Sequence, residues 1–513
     1  MKKISLEKIC TDIFCVLAIL VFALLFGLSI SSSWVNDWDL VSEYVSPVRD
    51  SLPGNLLWML GLLVLGCLLY RLGRRFPSRI NMDIIAAIVS LMAFAFSVYW
   101  VSASNTAPQA DQLGVCSYAE AFDLGDVSGL NKGAYIGINP QQLGLLSFIR
   151  VLYRLFGAGN YRAYQYFNAW MVPVLIFSGY QIVKKLSRGS SAAGAIYLFL
   201  MAVCVPLYCY VPFVYGEISS TAMVMLAAWM FLTYQEQAEG RTWKGIVCLT
   251  VMSLSMGAAV LFRQNALIFL IAFLVVIAVR LFHKGGRKRL LLSAGGLLAG
   301  VLLFQGALQV VYRPVTPQDS HGMPAVLYVA MGVNDDNGRA GWHNWYNMVT
   351  FAENDHDVQK ASAAAWEDLG EFAGKCLADP AYALDFYYRK ISSQWNVPMY
   401  QCLAMNSLIA GEQSRLAESV YFGELREWLE REMNLYQLLV YGGILVLLVF
   451  GGRKQNITYY LLLVGVFGGF LFSLLWEAKS RYVFPYFVMM IPNAALGIHF
   501  CVEWLSKKLT RQQ

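Results

Sequence analysis

Apolar runs of about 18 to 22 residues recur along most of this chain, separated by short polar breaks. A helix of about 20 residues covers the roughly 30 Å of hydrocarbon in a bilayer. Inside lipid the backbone must satisfy its own hydrogen bonds, so such runs predict helices. Twelve spans are expected, at 12–31, 55–72, 84–102, 168–184, 191–213, 219–235, 245–262, 264–283, 290–311, 436–451, 457–476 and 482–505. Only Arg263, Gln264 and Asn265 part the seventh from the eighth. The opening "MKKISLEK" is basic, and the apolar run after it is too long for a signal-peptide core. No small-residue cleavage pattern follows, so an uncleaved first helix is expected.

Two stretches interrupt the rhythm, at about 103–167 and 312–435. Within the first, Gln142 to Phe156 is apolar with Arg150 and Arg154 four apart. That pattern predicts an amphipathic helix lying along the membrane interface. The second shows helical patterns at 357–377 and 380–393 and a third helix from "AESVYFGELREWLEREMN" into the next span. "ADPAYALDFYYRK" reads as a helix start, with Asp379 as cap and Pro380 in the first turn. Four regions follow: an N-terminal hairpin of spans (1–83), a membrane core with its loop at 103–167 (84–311), a small helical segment (312–435) and C-terminal spans (436–513).

Composition agrees. The chain is 58% hydrophobic and 14% charged, against about 25% charged in soluble domains. Lys and Arg set the orientation. With the N-terminus inside, the segments 1–11, 71–83, 184–190, 236–244, 280–289, 452–456 and 506–513 are cytoplasmic and hold 22 of the 39 basic residues. Both termini are then cytoplasmic, in a multi-pass protein of the cell membrane, and the two long stretches lie outside. The net charge of +6 is thus a topology signature and gives no reason to expect nucleic acid as a partner. The ten cysteines show no metal-binding spacing and fall mostly inside spans, where they pack as small residues. Cys376 and Cys402, outside the spans, could pair.

Four groups of ionisable residues gather at the expected outer surface: Asp111–Gln112, Glu217 in "FVYGEISS", Arg263–Gln264–Asn265 in "LFRQNALI", and Glu477, Lys479, Arg481 and Tyr482 in "LLWEAKSRYVFPYF". Charges at the edge of lipid are costly unless paired or wetted. Each has a plain structural reading: Glu217 pairs with Arg263, and Lys479 and Arg481 snorkel to headgroups. Together they suggest more. Guanidinium forks match phosphate oxygens, and an ionised carboxylate beside them takes a proton from an attacking hydroxyl. That combination suits group transfer from a lipid-linked phosphate. Trp342, Trp345, Trp395, Tyr346 and Tyr400 either stack on sugars or belong to an interfacial belt.

These pieces carry a resemblance. "PQADQ", "AEAFDLGD", "YIGINPQQLGLLSFIRVLYRLFG", "YGEISS", "FRQNALI", "AMGVNDDNGRAGWHNWYN", "DPAYALDFYYRKISSQWNVPMYQ" and "WEAKSRYVFPYF" fall between about 85 and 500. In order and placement the chain resembles the GT-C membrane glycosyltransferases. Specifically, it resembles bacterial relatives of the dolichyl-phosphate-mannose protein mannosyltransferases and of the lipid A aminoarabinose transferases. The resemblance implies an all-α polytopic GT-C-like fold and inverting transfer of a sugar from a polyprenyl-phosphate donor. The acceptor would be an extracytoplasmic glycan, lipid or protein. It implies Asp111 as the base, Arg263 and Arg481 on the donor phosphate, and Gln112, Asp126, Glu217, Glu477, Lys479 and Tyr482 as substrate-binding residues.

Departures matter too. The catalytic loop follows the third span where the family places it after the first, so the hairpin 12–72 looks like an addition. Gln112 stands where some relatives have a second acidic residue. That argues against a two-carboxylate or divalent-metal mechanism, and no motif supports a cofactor. Asp123 and Asp126 follow later, Asp126 in an "LGD" that also suits a turn. Two rival classes remain. A lipid-linked glycan polymerase or ligase would move whole chains. A transporter would place its polar groups at mid-membrane.

Overall fold

The computed structural model describes residues 5–37, 40, 43–75, 81–237, 242–283, 285–451 and 455–511. Parts of the basic segments, at 1–4, 76–80, 238–241, 284, 452–454 and 512–513, lie outside the described residues. Helix α1 (Leu6–Ser31) starts on Ser5, whose hydroxyl accepts the Lys8 N–H at 3.3 Å. It runs into β1 (Ser32–Asn36), which pairs antiparallel with β2 (Val45–Arg49) before α2 (Leu52–Arg75) returns. This ribbon is absent from the all-helical expectation. Trp34 and Val45 are buried against Trp342, Val397 and Ala478. Ladder pairing satisfies the backbone while those two side chains face inward.

Helix α3 (Met82–Ser104) ends at Asn105, which adopts left-handed backbone at φ 48°. The loop after it folds into α4 (Asp111–Asp123), α5 (Tyr135–Ile138) and α6 (Leu143–Phe156). Helix α6 is the amphipathic helix expected at 142–156. Leu145, Leu146, Ile149 and Leu152 are buried, while Val151, Leu155 and Phe156 are exposed. Arg150 and Arg154 both pair with Asp123, at 2.9 and 2.8 Å, and tie α6 to the end of α4.

Next come α7 (Arg162–Leu186), α8 (Ser191–Ala202), α9 (Val205–Cys209), α10 (Glu217–Gln235), α11 (Trp243–Phe262), α12 (Leu267–Leu281) and α13 (Arg287–Tyr312). The expected span 191–213 is not one helix. Helix α8 has 12 residues, roughly 18 Å of rise. Pro206 has no N–H to offer Ala202 O and its ring would clash with that carbonyl, so α8 ends at Ala202 and the chain restarts as α9 with Pro206 in its first turn. The short divide expected after α11 is present: Arg263 is extended, at φ −155° and ψ 119°. Among the described residues nine helices are long and apolar enough to cross a membrane, against the twelve expected. Helices α7 and α10 occupy the expected positions 168–184 and 219–235. They are less apolar, with buried Gln165, Asn168, Ser219, Ser220 and Thr221.

The long segment holds α14 (Ala325–Val333), a two-residue ribbon of β3 (Asp335–Asp336) with β4 (Arg339–Ala340), α15 (Tyr346–Glu353), α16 (Val358–Ala378), α17 (Pro380–Trp395) and α18 (Arg415–Phe422). Asp357 and Asp379 cap α16 and α17, each accepting two backbone N–H groups. The helix expected to run unbroken from 417 divides at Gly423, where α19 (Glu424–Val446) begins. A Cβ there would lie 2.8 Å from the Ser419 Cα. Helices α20 (Leu461–Leu475) and α21 (Ser480–Arg511) complete the chain. From Val483 to Leu496 almost every side chain of α21 is buried, so this helix is central to the bundle. Its first turn lies beside the start of α4.

Candidate active site

Asp111 is the first residue of α4, where free N–H groups favour a negative charge. Ala110 before it has φ 47° and ψ −126°. Few L-residues adopt such backbone, at a cost of about 1–3 kcal/mol, and it occurs where a site demands it. Side chains on either side hold the turn. Gln109 donates to Ala404 O at 2.7 Å and Gln112 to Met405 O at 2.9 Å, while Gln112 Oε1 accepts the Val214 N–H at 2.8 Å.

The Asp111 carboxylate stays partly open, with 41% of its side chain accessible. Tyr135 donates to Oδ1 at 3.0 Å and Tyr215 to Oδ2 at 3.2 Å. Arg481 Nη2 lies 3.4 Å from Oδ2. Burial alone would raise the carboxyl's pKa. The charges of Arg481 and Lys479 and the two phenol hydrogen bonds outweigh it, so Asp111 titrates below the usual carboxylate range. The Tyr135 phenol is pushed up by burial and by Asp111, which keeps it a donor.

The cations stack on aromatic faces. Arg481 is 5.0 Å from the Tyr215 ring centroid and 5.1 Å from that of Tyr482. Arg263 lies over the same two rings at 5.0 and 5.4 Å. Cation–π contact strengthens where water is excluded. Arg263 pairs with Glu217 at 3.2 Å. Gly216 makes this approach possible. Its φ is 94°, and a Cβ there would meet Phe262 O at 2.5 Å.

A second string of charges adjoins the first. Tyr482 donates to Glu477 at 3.0 Å, His343 is 3.7 Å from Glu477, and Lys479 sits between Glu477 at 3.8 Å and Glu43. Burial and Arg481 push the Lys479 pKa down, but Glu477 and Glu43 more than offset them and the ammonium stays charged. Burial pushes His343 down, so its ring is neutral at pH 7. Beside Glu217, Arg263 and Tyr482 a narrow cavity continues between Val224, Phe269 and Pro485. One end is charged and the other apolar.

The structure thus gathers Asp111, Glu217, Arg263, Glu477, Lys479, Arg481 and Tyr482 into one network. Gln112 adjoins it but is 2% exposed and spends its amide on the backbone bonds above. Asp126 stands apart on an exposed turn, where it accepts the Ser128 N–H at 2.9 Å. Asp123 is occupied by Arg150 and Arg154. The plain reading of Glu217 as the partner of Arg263 is correct as far as it goes. Trp395 and Tyr400 are core residues with no exposure, Trp342 is 4% exposed, and Trp345 stands out at 61%. Tyr346 hydrogen-bonds Asp368. Cys376 and Cys402 are both free thiols.

Sequence reasoning missed Tyr135, Tyr215, Glu43 and His343. Tyr215 had a signal, since it directly precedes Gly216–Glu217 in a stretch already singled out. Glu43 had none, because only the packing of the β1–β2 ribbon brings it to Lys479.

No protein-family model matches the chain, and no curated protein matches it. Among solved structures it is similar to the oligosaccharyltransferase AglB of Archaeoglobus fulgidus, in complex with an inhibitory peptide and a dolichol-phosphate. Identity is 15% over 83% of this chain and 52% of that one, with a TM-score of 0.45. It is also similar to ArnT from Cupriavidus metallidurans bound to undecaprenyl phosphate. Identity there is 15% over 82% of this chain and 77% of that one, with a TM-score of 0.35. The chain spans about half the length of the oligosaccharyltransferase.

Proposed function

We propose that this protein is a membrane glycosyltransferase that moves a sugar from a polyprenyl-phosphate donor to a hydroxyl acceptor, with inversion. The observation that carries the reading is the setting of Asp111. An ionised carboxylate is held by two phenols and a buried guanidinium, beside a cavity with a second guanidinium at its charged end.

The acceptor oxygen attacks the anomeric carbon while Asp111 takes its proton. The bond from that carbon to the phosphate oxygen breaks, and polyprenyl phosphate leaves with the electron pair. Arg263 and Arg481 neutralise the charge that develops on it. A single displacement inverts the anomeric centre. A carboxylate held below its usual range is a weak base, and Arg481 resolves this. When the donor phosphate shares that guanidinium, Asp111 loses part of its compensation and its proton affinity rises. Glu477, Lys479 and Tyr482 border the acceptor side in this reading, and the apolar end of the cavity takes the first isoprene units.

The basic segments support cytoplasmic termini and an active site on the opposite face. On that topology 84–311 is the catalytic core, 312–435 caps it, 436–513 closes the bundle, and the hairpin within 1–83 adds Glu43. Helix α6 lies in the interface with Val151, Leu155 and Phe156 toward lipid.

The test is sugar transfer in membranes that express wild type or Asp111→Asn, with radiolabelled polyprenyl-phosphate sugars. Label reaching an acceptor with wild type and not with the variant, at equal expression, is the expected result. Equal transfer by both removes Asp111 from the chemistry. Transfer of preassembled chains, but not of single sugars, favours a polymerase or ligase.

A further inference from the structure

Glu217 is the least compensated acid in the site. It is 1% exposed, and among the described residues neither carboxylate oxygen accepts a hydrogen bond from another residue. Among the described residues its one ion pair is with Arg263, and both line the cavity. Arg263 has, among the described residues, a single other polar contact, Nη1 to Tyr215 O at 3.4 Å. A buried carboxylate is tolerable only while a cation answers it, and losing that partner is strongly destabilising.

The donor phosphodiester brings a new negative charge to this place. The site holds three cations, Arg263, Arg481 and Lys479, against four carboxylates, Asp111, Glu217, Glu477 and Glu43. An anion entering the cavity therefore meets one guanidinium already shared with Glu217. Two negative charges on one buried cation raise the proton affinity of whichever can accept a proton. The diester cannot. We infer that Glu217 takes up one proton when the donor binds, becoming a neutral hydrogen-bond donor beside the phosphate and freeing Arg263 for it. The proton comes from water, and no other bond changes. This rests on the donor reading above and adds a residue that positions Arg263 for it.

The charged and titratable groups around Glu217 support this assignment. Arg263 comes from the α11–α12 junction. Arg481, Tyr482 and Tyr486 come from α21, Tyr210 and Tyr215 from the segment before α10, Tyr164 from α7 and Asp111 from α4. The phenols already carry their protons. Asp111 is the other carboxylate in that set. Were it to take the proton, the base would be lost at the moment it is needed.

The experiment is calorimetric titration of the purified full chain with the methyl diester of undecaprenyl phosphate, in buffers of different ionisation enthalpy. The probe has no sugar and keeps one charge at every pH used. The expected result is uptake of about one proton per diester at about pH 7.5, with Kd rising at most about tenfold per pH unit above that. Glu217→Gln should bind with no uptake and no such slope, and Asp111→Asn should keep both. Binding by wild type without uptake, or uptake that survives in Glu217→Gln, overturns the inference and leaves the donor reading standing. No binding of the diester by wild type overturns both. Absence of uptake by wild type overturns the inference whether or not a variant folds, and if Glu217→Gln does not fold, loss of the uptake in Asp111→Asn overturns it.

Discussion

Tyr215 donates its hydroxyl to Asp111 at 3.2 Å while its ring lies 5.0 Å beneath both Arg263 and Arg481. One side chain thus fixes the carboxylate and carries both guanidiniums. Gln142 donates to the same hydroxyl from the start of α6, which ties the amphipathic helix into the site.

The two halves of that residue can be separated. Tyr215→Phe keeps the ring and removes the hydrogen bond, so transfer should fall about tenfold, the worth of one charge-assisted bond. Tyr215→Ala also removes the surface on which both cations rest and should cost more. Initial rates at saturating donor, with expression matched, check both.

The pH profile should move with Arg481. Asp111 ionises below its usual range in the free protein, so in wild type the acid limb of kcat/KM should lie below the ordinary carboxylate value of about 3.9. Arg481→Gln removes the largest stabiliser of the charged form and should shift the limb upward. The stability linked to Asp111 has the same sign: present above its unfolded pKa, lost as pH falls through the depressed folded one. A pH–rate profile on donor hydrolysis or transfer, taken for both proteins, checks the shift.

Asp111→Asn should lower transfer by about 10²–10⁴, the range for a lost general base. Donor affinity should change far less, because Asn retains the size of Asp. Equal losses in both would mean that the residue chiefly holds Arg481.

Lys390 offers a test outside the site. It is fully buried in α17, donates to Gly332 O, and burial lowers its pKa from 10.5 to about 7. The unfolded chain binds its proton up to about pH 10.4. Between those values the unfolded state holds more protons, so the Lys390 contribution to stability should rise with pH. The melting temperature of Lys390→Met should therefore gain less than wild type between pH 7 and pH 9. A thermal shift series checks the difference.

Gly216→Ala should disable the site without touching a charged group. The left-handed backbone and a Cβ 2.5 Å from Phe262 O would force α10 away from Arg263. A loss of about 1–3 kcal/mol in stability is expected, together with weaker donor binding, measured by unfolding and by titration.

Hydrophobic periodicity alone located most of the bundle, because lipid leaves a backbone no alternative to a helix. The Asp379–Pro380 start of α17 and the divide at Arg263 were equally legible, since caps and breaks act over one turn. Helix α8 stopped short of its apolar run because Pro206 overrides hydropathy locally. The β1–β2 ribbon was hidden, as its stability comes from Trp342 and Val397 far along the chain.

The same division holds in the site. The sequence by itself determined that acids and arginines end their spans at one level, because charge is excluded from hydrocarbon. It could not say that Gln112 turns inward to the backbone, that Asp126 closes a turn, or that Glu43 reaches Lys479. Nor could it put Tyr135 and Tyr215 on the two oxygens of Asp111. Those are contacts between elements remote in sequence, and only the packing of α4 against α21 and the segment before α10 decides them.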